Sequence, residues 1–262
     1  MKILETIKQQ KIIEVRERRS LYPIKLLEQS RYFETACVSL KGYIHSEKHQ
    51  GIIAEFKRKS PSKGNINVYA DVEKISLGYM QAGASALSVL TDETFFGAKK
   101  QDLPTARKLN YCPILRKDFI IDEYQLIESK AMGADTILLI AKILTPAQIA
   151  QFTTLAHQLG MEVLLEIHTE TEILDNIHTH ADLVGINNRN LNSFEVDVEN
   201  SIRLAGLLPE GVVKIAESGL ESAAVIKTLK NNGFSGFLIG EYFMKTADPA
   251  AKCAALIKEL RL

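Results

Sequence analysis

Charged and polar side chains stand at the ends of several short, apolar, β-rich segments of this chain. They are Glu55 and Lys57, Lys117, Glu166, Asn187 and Arg189, and Glu217 followed by Ser218. Carboxylate and ammonium groups that share one buried site can take up and release protons in turn, because burial and mutual pairing shift their pKa values towards the working pH. The set therefore indicates multi-step acid–base chemistry. A buried structural network of charges is the alternative interpretation.

Small residues follow the last two of these segments and indicate an anion site. The pairs are Ser218-Gly219 and Gly240-Glu241. Each pair precedes a predicted helix, so backbone N–H groups there can approach a phosphate. Lys57 and the segment 60–63 would add positive charge from the opposite side. Ordinary turn glycines are the alternative interpretation of these pairs.

The elements that must position these residues are eight β-rich segments with helical patterns between them. The segments are GIIAEF from Gly51, ASALSVLT from Ala84, PILRKDF from Pro113, TILLIA from Thr136, EVLLEIH from Glu162, LVGINN from Leu183, VVKIAES from Val212 and GFLIGE from Gly236. Their starts lie roughly 20 to 35 residues apart, which is enough for consecutive βαβ units with parallel strands. Because no segment marks the edge of an open sheet, we predict a single (β/α)8 TIM barrel, an α/β fold, rather than a doubly wound sheet.

Helix signals lie between the predicted strands, and further helical patterns precede them. The predicted helices run from Asp71 to near Gly83, from Asp122 to Gly133, from Thr145-Pro146 to Gly160, from Glu221 to Asn232, and onward from Asp248-Pro249. Three amphipathic patterns, at 3–18, 24–29 and 33–40, occupy the first 50 residues, and no Gly- or Pro-rich linker follows them. We therefore expect residues 1–262 to form one domain, with residues 1–50 as a helical extension packed on the barrel.

Composition excludes several classes of protein. The 32 basic and 32 acidic side chains cancel, so nothing favours nucleic acid or an anionic membrane surface over a small anionic ligand. The longest apolar run that we find, residues 137–141, is far shorter than the ~18 residues that a bilayer requires. Cys37, Cys112 and Cys253 are widely spaced, which argues against disulfides and a Cys-based metal site. With no secretory signal visible, we expect a cytoplasmic protein.

The stretch IIAEFKRKSPSKGNI, residues 52–66, resembles the signature of the indole-3-glycerol-phosphate synthase family. That family's successive strand-end motifs are similar, in the same order, to SVLTDETFFGA, PILRKDFIID, LLEIHTETE, GINNRNLNSFEVD, AESGL and FLIGEYFM. The resemblance covers essentially the whole chain, including the N-terminal extension. One departure is Ala98-Lys99-Lys100, where the family commonly has a glycine and an acidic or polar run, so this loop is expected to move or bind differently.

The resemblance implies a carboxy-lyase of tryptophan biosynthesis. The reaction closes the ring of 1-(2-carboxyphenylamino)-1-deoxyribulose 5-phosphate, with loss of carbon dioxide and water, to give indole-3-glycerol phosphate. No metal and no organic cofactor is implied, and the partner is this small sugar phosphate rather than nucleic acid or membrane. The amphipathic N-terminal helices are compatible with a monomer or with burial against a neighbouring copy.

Carried over to matching positions, the resemblance also implies roles for individual residues. Lys117 would be the general acid that protonates the substrate's ketone oxygen. Lys57, Glu55 and Glu166 would supply the later acid and base, with the order of their proton transfers left open. Asn187 would orient the hydroxyl groups and the carboxylates.

Further residues are implied to bind substrate, at the phosphate or at the aromatic ring. Phe119 and Leu138 would pack against the ring. The others are Ser60, Arg189, Glu217, Ser218, Gly219, Gly240 and Glu241. His168 lies beside a strand end and is expected to be a packing or supporting residue rather than a catalyst.

Two alternatives belong to other classes. A different sugar-phosphate barrel enzyme, such as a phosphoribosylanthranilate isomerase, would need a Cys and an Asp at strand ends, and Cys112 stands at a strand start. A non-catalytic phosphate-binding barrel would be expected to have lost Lys117 or Glu166, and both are present. The synthase is therefore the favoured interpretation.

Overall fold

Eight parallel strands close into a barrel in this computed structural model, which describes residues 2–189 and 195–262. In chain order the strands are β1 (Ile52–Phe56), β2 (Ala86–Leu90), β3 (Ile114–Lys117), β4 (Thr136–Ile140), β5 (Glu162–Ile167), β6 (Leu183–Asn187), β7 (Val213–Glu217) and β8 (Phe234–Ile239). Each strand pairs with the next, and β8 closes on β1 with Phe237 opposite Ile52. The predicted (β/α)8 barrel is confirmed. All its strand ends therefore meet at one mouth.

Helices surround the strands and precede them. In chain order they are α1 (Lys2–Leu21), α2 (Ile24–Leu27), α3 (Leu40–His45), α4 (Val72–Gln81), α5 (Glu93–Phe96), α6 (Asp102–Leu109), α7 (Glu123–Met132), α8 (Pro146–Gln158), α9 (Glu170–Asn176), α10 (Val198–Ala205), α11 (Ala223–Asn231), α12 (Glu241–Met244) and α13 (Pro249–Arg261). Within the described residues, no helix combines the length and hydropathy needed to cross a membrane.

The predicted helix starts rest on side-chain caps that the structure confirms. Asp71 accepts the N–H of Glu73 at the start of α4, and Thr145 forms a capping box with Gln148 at the start of α8. The predicted start of α11 at Glu221 is wrong by two residues. Ser222 is the actual N-cap, because its hydroxyl oxygen accepts the N–H of Val225.

The third helix predicted in the extension, at 33–40, is also wrong, because α3 begins only at Leu40. Bonds to distant residues hold the chain before it in an extended form: the N–H of Val38 donates to Asp135, 2.8 Å away, and the hydroxyl of Ser39 donates to Glu162. Ser39 then caps α3. Leu40 and Ile44 of this helix are buried against the barrel interior at the amino ends of the strands.

The long loop after β1 folds back on itself. Residues Lys59–Ser60 and Gly64–Asn65 pair as a short antiparallel hairpin. The buried Arg58 fastens it to α6 through two contacts with Asp102, at 2.5 and 2.9 Å. The N–H of Lys99 donates to the same carboxylate, 2.7 Å away, so the loop that departs from the family pattern is held at the base of this hairpin.

Candidate active site

A cavity of about 200 Å³ opens at the carboxyl ends of the barrel strands. Every site residue predicted from the sequence lines it: Glu55, Lys57, Ser60, Lys117, Phe119, Leu138, Glu166, Asn187, Arg189, Glu217, Ser218, Gly219, Gly240 and Glu241. The strand-end rule explains this convergence, because side chains from different strands reach one mouth. The structure thus brings the candidate residues together, and their individual roles stay predictions.

Lys117 lies between two buried carboxylates in this cavity. Its Nζ is 3.0 Å from Oε2 of Glu166 and 2.5 Å from Oε2 of Glu217. Burial works against the charged ammonium, but the two carboxylates, with Glu55, outweigh it and raise the pKa of Lys117. The sequence predicts Glu217 to be a binding residue and does not indicate this contact. The available signal was its place at the end of its strand beside Asn187.

The two carboxylates that bind Lys117 have different surroundings. Oε1 of Glu166 accepts from Nδ2 of Asn187 at 3.2 Å, and Nε2 of His168 lies 3.3 Å from the same oxygen. Although burial opposes ionisation, Lys117 and His168 hold the pKa of Glu166 at about 2. This carboxylate is therefore an ionised acceptor at neutral pH.

Glu217 has fewer compensating contacts than Glu166. Its Oε1 is buried and has no hydrogen-bond partner within the described residues. Burial, opposed by Lys117 and reinforced by the negative charge of Glu166, raises the pKa of Glu217 to about 7. The site therefore combines one carboxylate that stays ionised with one that can carry a proton near neutral pH, a division found in acid–base enzymes.

Gly185 and Gly240 leave room for the carboxylates of Glu217 and Glu55. A Cβ at Gly185 would lie 2.2 Å from Oε1 of Glu217, and a Cβ at Gly240 would lie 2.4 Å from Oε1 of Glu55. Glu55 in turn is ion-paired to Lys57 at 2.6 Å. A side chain at either position would displace the neighbouring carboxylate from its place in the site.

The side of the cavity after β7 and β8 carries small residues and one arginine. Ser218 and Gly219 both have left-handed backbone conformations, with φ of 68° and 69°. Glu241 begins α12 and lies 3.5 Å from the guanidinium of Arg189 and 3.8 Å from the ammonium of Lys63. Arg189 and Glu241 line the cavity here, whereas Lys63 does not. Small residues and one guanidinium beside a carboxylate therefore form this side of the cavity.

The opposite side of the cavity is apolar. Besides Phe119 and Leu138, it includes Phe96, whose ring centroid is 6.0 Å from that of Phe119. Three side chains of α1 also line the cavity: Ile3, Leu4 and Ile7. Neither Phe96 nor α1 is among the cavity residues predicted from the sequence. Phe96 does stand in the motif after β2, whereas an amphipathic pattern alone does not tell what the apolar face of α1 contacts.

Other predicted features lie outside the cavity. The ring of His168 stands behind Glu166, with Nδ1 3.7 Å from Glu172, and does not line the cavity. Across residues 2–189 and 195–262, no group of three or more His, Cys, Asp or Glu side chains is arranged to hold a metal ion. Part of the motif at 185–197 lies outside the described residues, at 190–194.

Comparisons with known proteins agree with this geometry. A family model described as indole-3-glycerol phosphate synthase matches residues 4–256. An indole-3-glycerol phosphate synthase from Bacteroides thetaiotaomicron is 49% identical over 259 residues, which is 99% of each chain. One from Bordetella pertussis is 42% identical over 212 residues, or 81% of each chain.

A solved structure with a different name shares the fold. A mutant tryptophan synthase alpha-subunit from Pyrococcus furiosus superposes with a TM-score of 0.61 over 82% of this chain and 98% of that one. It is only 15% identical, so it supports the barrel architecture alone. The family model and the two close relatives together show that this chain belongs to the indole-3-glycerol phosphate synthase family.

Proposed function

We propose that this chain converts 1-(2-carboxyphenylamino)-1-deoxyribulose 5-phosphate to indole-3-glycerol phosphate, with carbon dioxide and water as the other products. The observation that carries the proposal is the position of Lys117, held by Glu166 and Glu217 inside a cavity that is apolar on one side and has small residues and Arg189 on the other. The apolar side suits the carboxyphenyl ring, and the side with Arg189 suits the phosphate. The reacting ketone then lies near the Lys117 ammonium.

In the first step, the ring carbon that bears the carboxylate attacks the ketone carbon. As this bond forms, the ketone oxygen takes a proton from Lys117 and becomes a hydroxyl group. An ammonium suits the step because it neutralises the developing negative charge and supplies the proton. Glu217, with its pKa raised to about 7, can return a proton to the lysine.

The carboxylate then leaves as carbon dioxide, and the electrons of the broken bond restore the aromatic ring. Phe119 and Leu138 give this part of the cavity an apolar wall. Such a wall stabilises a neutral ring better than a charged carboxylate, so it favours decarboxylation.

Loss of water completes the indole. The hydroxyl group departs with a proton from an acid, and a base removes a proton from the carbon beside the nitrogen. We assign the base to Glu166, because it is ionised at neutral pH and lines the cavity beside Lys117. We assign the acid to Lys57, which is paired with Glu55 at 2.6 Å and lines the same cavity.

The test is direct turnover. Purified protein is incubated with the carboxyphenylamino-deoxyribulose phosphate, and the indole product is followed by its fluorescence. We expect turnover without any added metal or cofactor. No indole product at enzyme concentrations equal to the substrate would refute the proposal. The isomerase alternative has little support here, because Cys112 is buried before β3, at the far end of that strand from the cavity.

A further inference from the structure

A buried ammonium group joins the N-terminal extension to the catalytic end of the barrel. Lys11 of α1 is only 1% exposed. Its Nζ lies 2.8 Å from Asp92, 2.9 Å from Asp118 and 2.8 Å from Glu14 of its own helix. Asp92 follows the end of β2, and Asp118 follows Lys117 at the end of β3. One side chain therefore ties α1 to two neighbouring strand ends.

Each of these aspartates also accepts a backbone N–H at or beside an aromatic residue of the cavity. Asp118 accepts the backbone N–H of Phe119 at 2.8 Å. Asp92 caps α5 by accepting the N–H of Phe95 at 2.6 Å, and the next residue of that helix is Phe96. The ammonium of Lys11 thus pairs with both carboxylates that hold the backbone at Phe119 and at the start of α5, the helix that carries Phe96.

The same lysine also sets the position of the cavity-lining face of α1. Ile7 is one turn before Lys11 and Leu4 is two turns before it, so all three residues share a helix face. Ile7 and Leu4 line the cavity, whereas Lys11 does not. Three separate elements of the apolar side of the cavity, α1, α5 and the segment after β3, are therefore joined by a single charged group behind them.

Of the two aspartates that pair with Lys11, Asp118 also has other compensating contacts. Asp118 keeps contacts with Arg116 at 3.0 Å and with the hydroxyl of Thr91 at 2.6 Å. A buried ion pair seldom stabilises a protein more than a well-packed apolar side chain would, whereas it does fix the relative position of its partners. The ion pairs of Lys11 are therefore better suited to holding α1 and the two strand ends in position than to raising the free energy of unfolding.

We propose that Lys11 is a positioning residue for the aromatic end of the substrate. It holds Ile7, Phe96 and Phe119 at the spacing that fits the carboxyphenyl ring, and it acts only through them. This inference rests on the proposed function, because that function supplies the ring. The phosphate side of the cavity is independent of Lys11, since it is built from the segments after β7 and β8.

The test compares ligands that occupy different ends of the cavity. Indole-3-glycerol phosphate probes both ends, and ribulose 5-phosphate probes the phosphate end only. For Lys11→Met we expect KM and the dissociation constant of indole-3-glycerol phosphate to rise at least about tenfold, with kcat changed less than about threefold, as for lost binding that does not affect chemistry. The inhibition constant of ribulose 5-phosphate should stay at the wild-type value.

Two further variants complete this test. Arg19→Met removes an exposed pair between the same helix and Asp122, and it should bind both ligands as the wild type does. Asp92→Asn removes the Lys11 contact from the barrel side and should reproduce the selective loss, even if Lys11→Met does not fold. Equal weakening of both ligands, or no weakening of either, overturns the proposal. If the wild type binds indole-3-glycerol phosphate but produces none from the substrate, the proposed function is wrong. The binding of the two ligands to Lys11→Met then still tests the proposal for Lys11.

Discussion

The ammonium of Lys117 binds two carboxylates, those of Glu166 and Glu217, at the centre of the cavity. Since Lys117 is the only group that we assign to the ketone oxygen, Lys117→Ala should lower kcat by at least about 10²-fold, the usual effect of removing a general acid. The affinity of this variant for indole-3-glycerol phosphate should stay close to that of the wild type, because the apolar side of the cavity and the side with Arg189 are intact. Steady-state kinetics and a fluorescence titration check the two parts.

The matched control for this prediction is Lys214→Ala. Lys214 is also a lysine on a barrel strand, β7, but it does not line the cavity. Its replacement should leave kcat unchanged. If Lys117→Ala turned over at the wild-type rate, the role assigned to the ammonium would be wrong.

The raised pKa of Glu217 has a consequence for stability. The folded protein holds this carboxyl's proton up to about pH 7, whereas an unfolded chain releases it near its ordinary pKa of roughly 4.3. The stability that protonated Glu217 provides is therefore present at low pH and is lost as the pH rises towards 7. Glu217→Gln keeps the neutral form at every pH, so its melting temperature relative to the wild type should increase from pH 5 to pH 8.

Thermal unfolding at several pH values measures this difference. Glu210→Gln removes an exposed carboxylate and should give a difference from the wild type that does not vary with pH. A Glu217→Gln curve parallel to that of the wild type would show that Glu217 ionises as an ordinary carboxyl group. The same variant should lose activity, because it cannot return a proton to Lys117.

At the scale of strands and helices, local signals allowed most of the barrel to be predicted. Apolar runs marked the strands, and caps such as Asp71 and Thr145 marked helix starts, because both depend on neighbours along the chain. Since parallel strands end at one mouth, the candidate residues could be grouped without knowing any contact. That rule correctly brought Lys117 and Glu166 together.

The errors lie where distant residues decide the structure. The segment before α3 is extended because Val38 donates to Asp135, 97 residues away, and no local pattern contains that bond. The contribution of Ile7 to the cavity depends on how α1 crosses the strand ends. The missed pairing of Glu217 with Lys117 spans 100 residues. Tertiary contacts of this kind are invisible to spacing and propensity.

The close contacts around Gly185, on strand β6, lead to a further prediction. A methyl group there would lie 2.2 Å from Oε1 of Glu217 and 3.3 Å from the side chain of Leu164. The carboxylate must then turn away from its place beside Lys117. We expect Gly185→Ala to lower kcat/KM at least about tenfold, since small displacements of catalytic groups have effects of this size.

The control for Gly185→Ala is a glycine with room for a methyl group. Gly206 ends α10 with a helical φ of −68°, and its nearest contact to an added Cβ is 3.4 Å. Gly206→Ala should keep wild-type kcat/KM. Circular dichroism of both variants confirms that the barrel is folded. An active Gly185→Ala would mean that Glu217 tolerates a different position.

At the scale of the whole molecule, the net charge is zero, yet a buried network of charged side chains links the extension to the barrel. Arg116 is fully buried and contacts Asp118 at 3.0 Å and Glu128 at 2.7 Å. Arg18 of α1 reaches the same Glu128 at 3.3 Å, and Lys11 reaches Asp118. We therefore propose that residues 1–50 and the barrel form one unit that unfolds together.

This network also sets how the molecule responds to acid. Although burial opposes ionisation, Lys11 and Arg116 hold the pKa of Asp118 well below its usual range. The folded state thus keeps this charge where the unfolded chain takes up a proton, so the stability it provides is present above roughly pH 5 and is lost as the pH falls further.

For Asp118→Asn we expect a lower free energy of unfolding at pH 7, and a smaller loss between pH 6 and pH 3 than in the wild type. Urea unfolding followed by fluorescence and by circular dichroism measures both, with the exposed Asp175→Asn as the control that keeps the wild-type slope. An unchanged slope for Asp118→Asn, or separate transitions for the two signals, would show that the network does not couple the extension to the barrel.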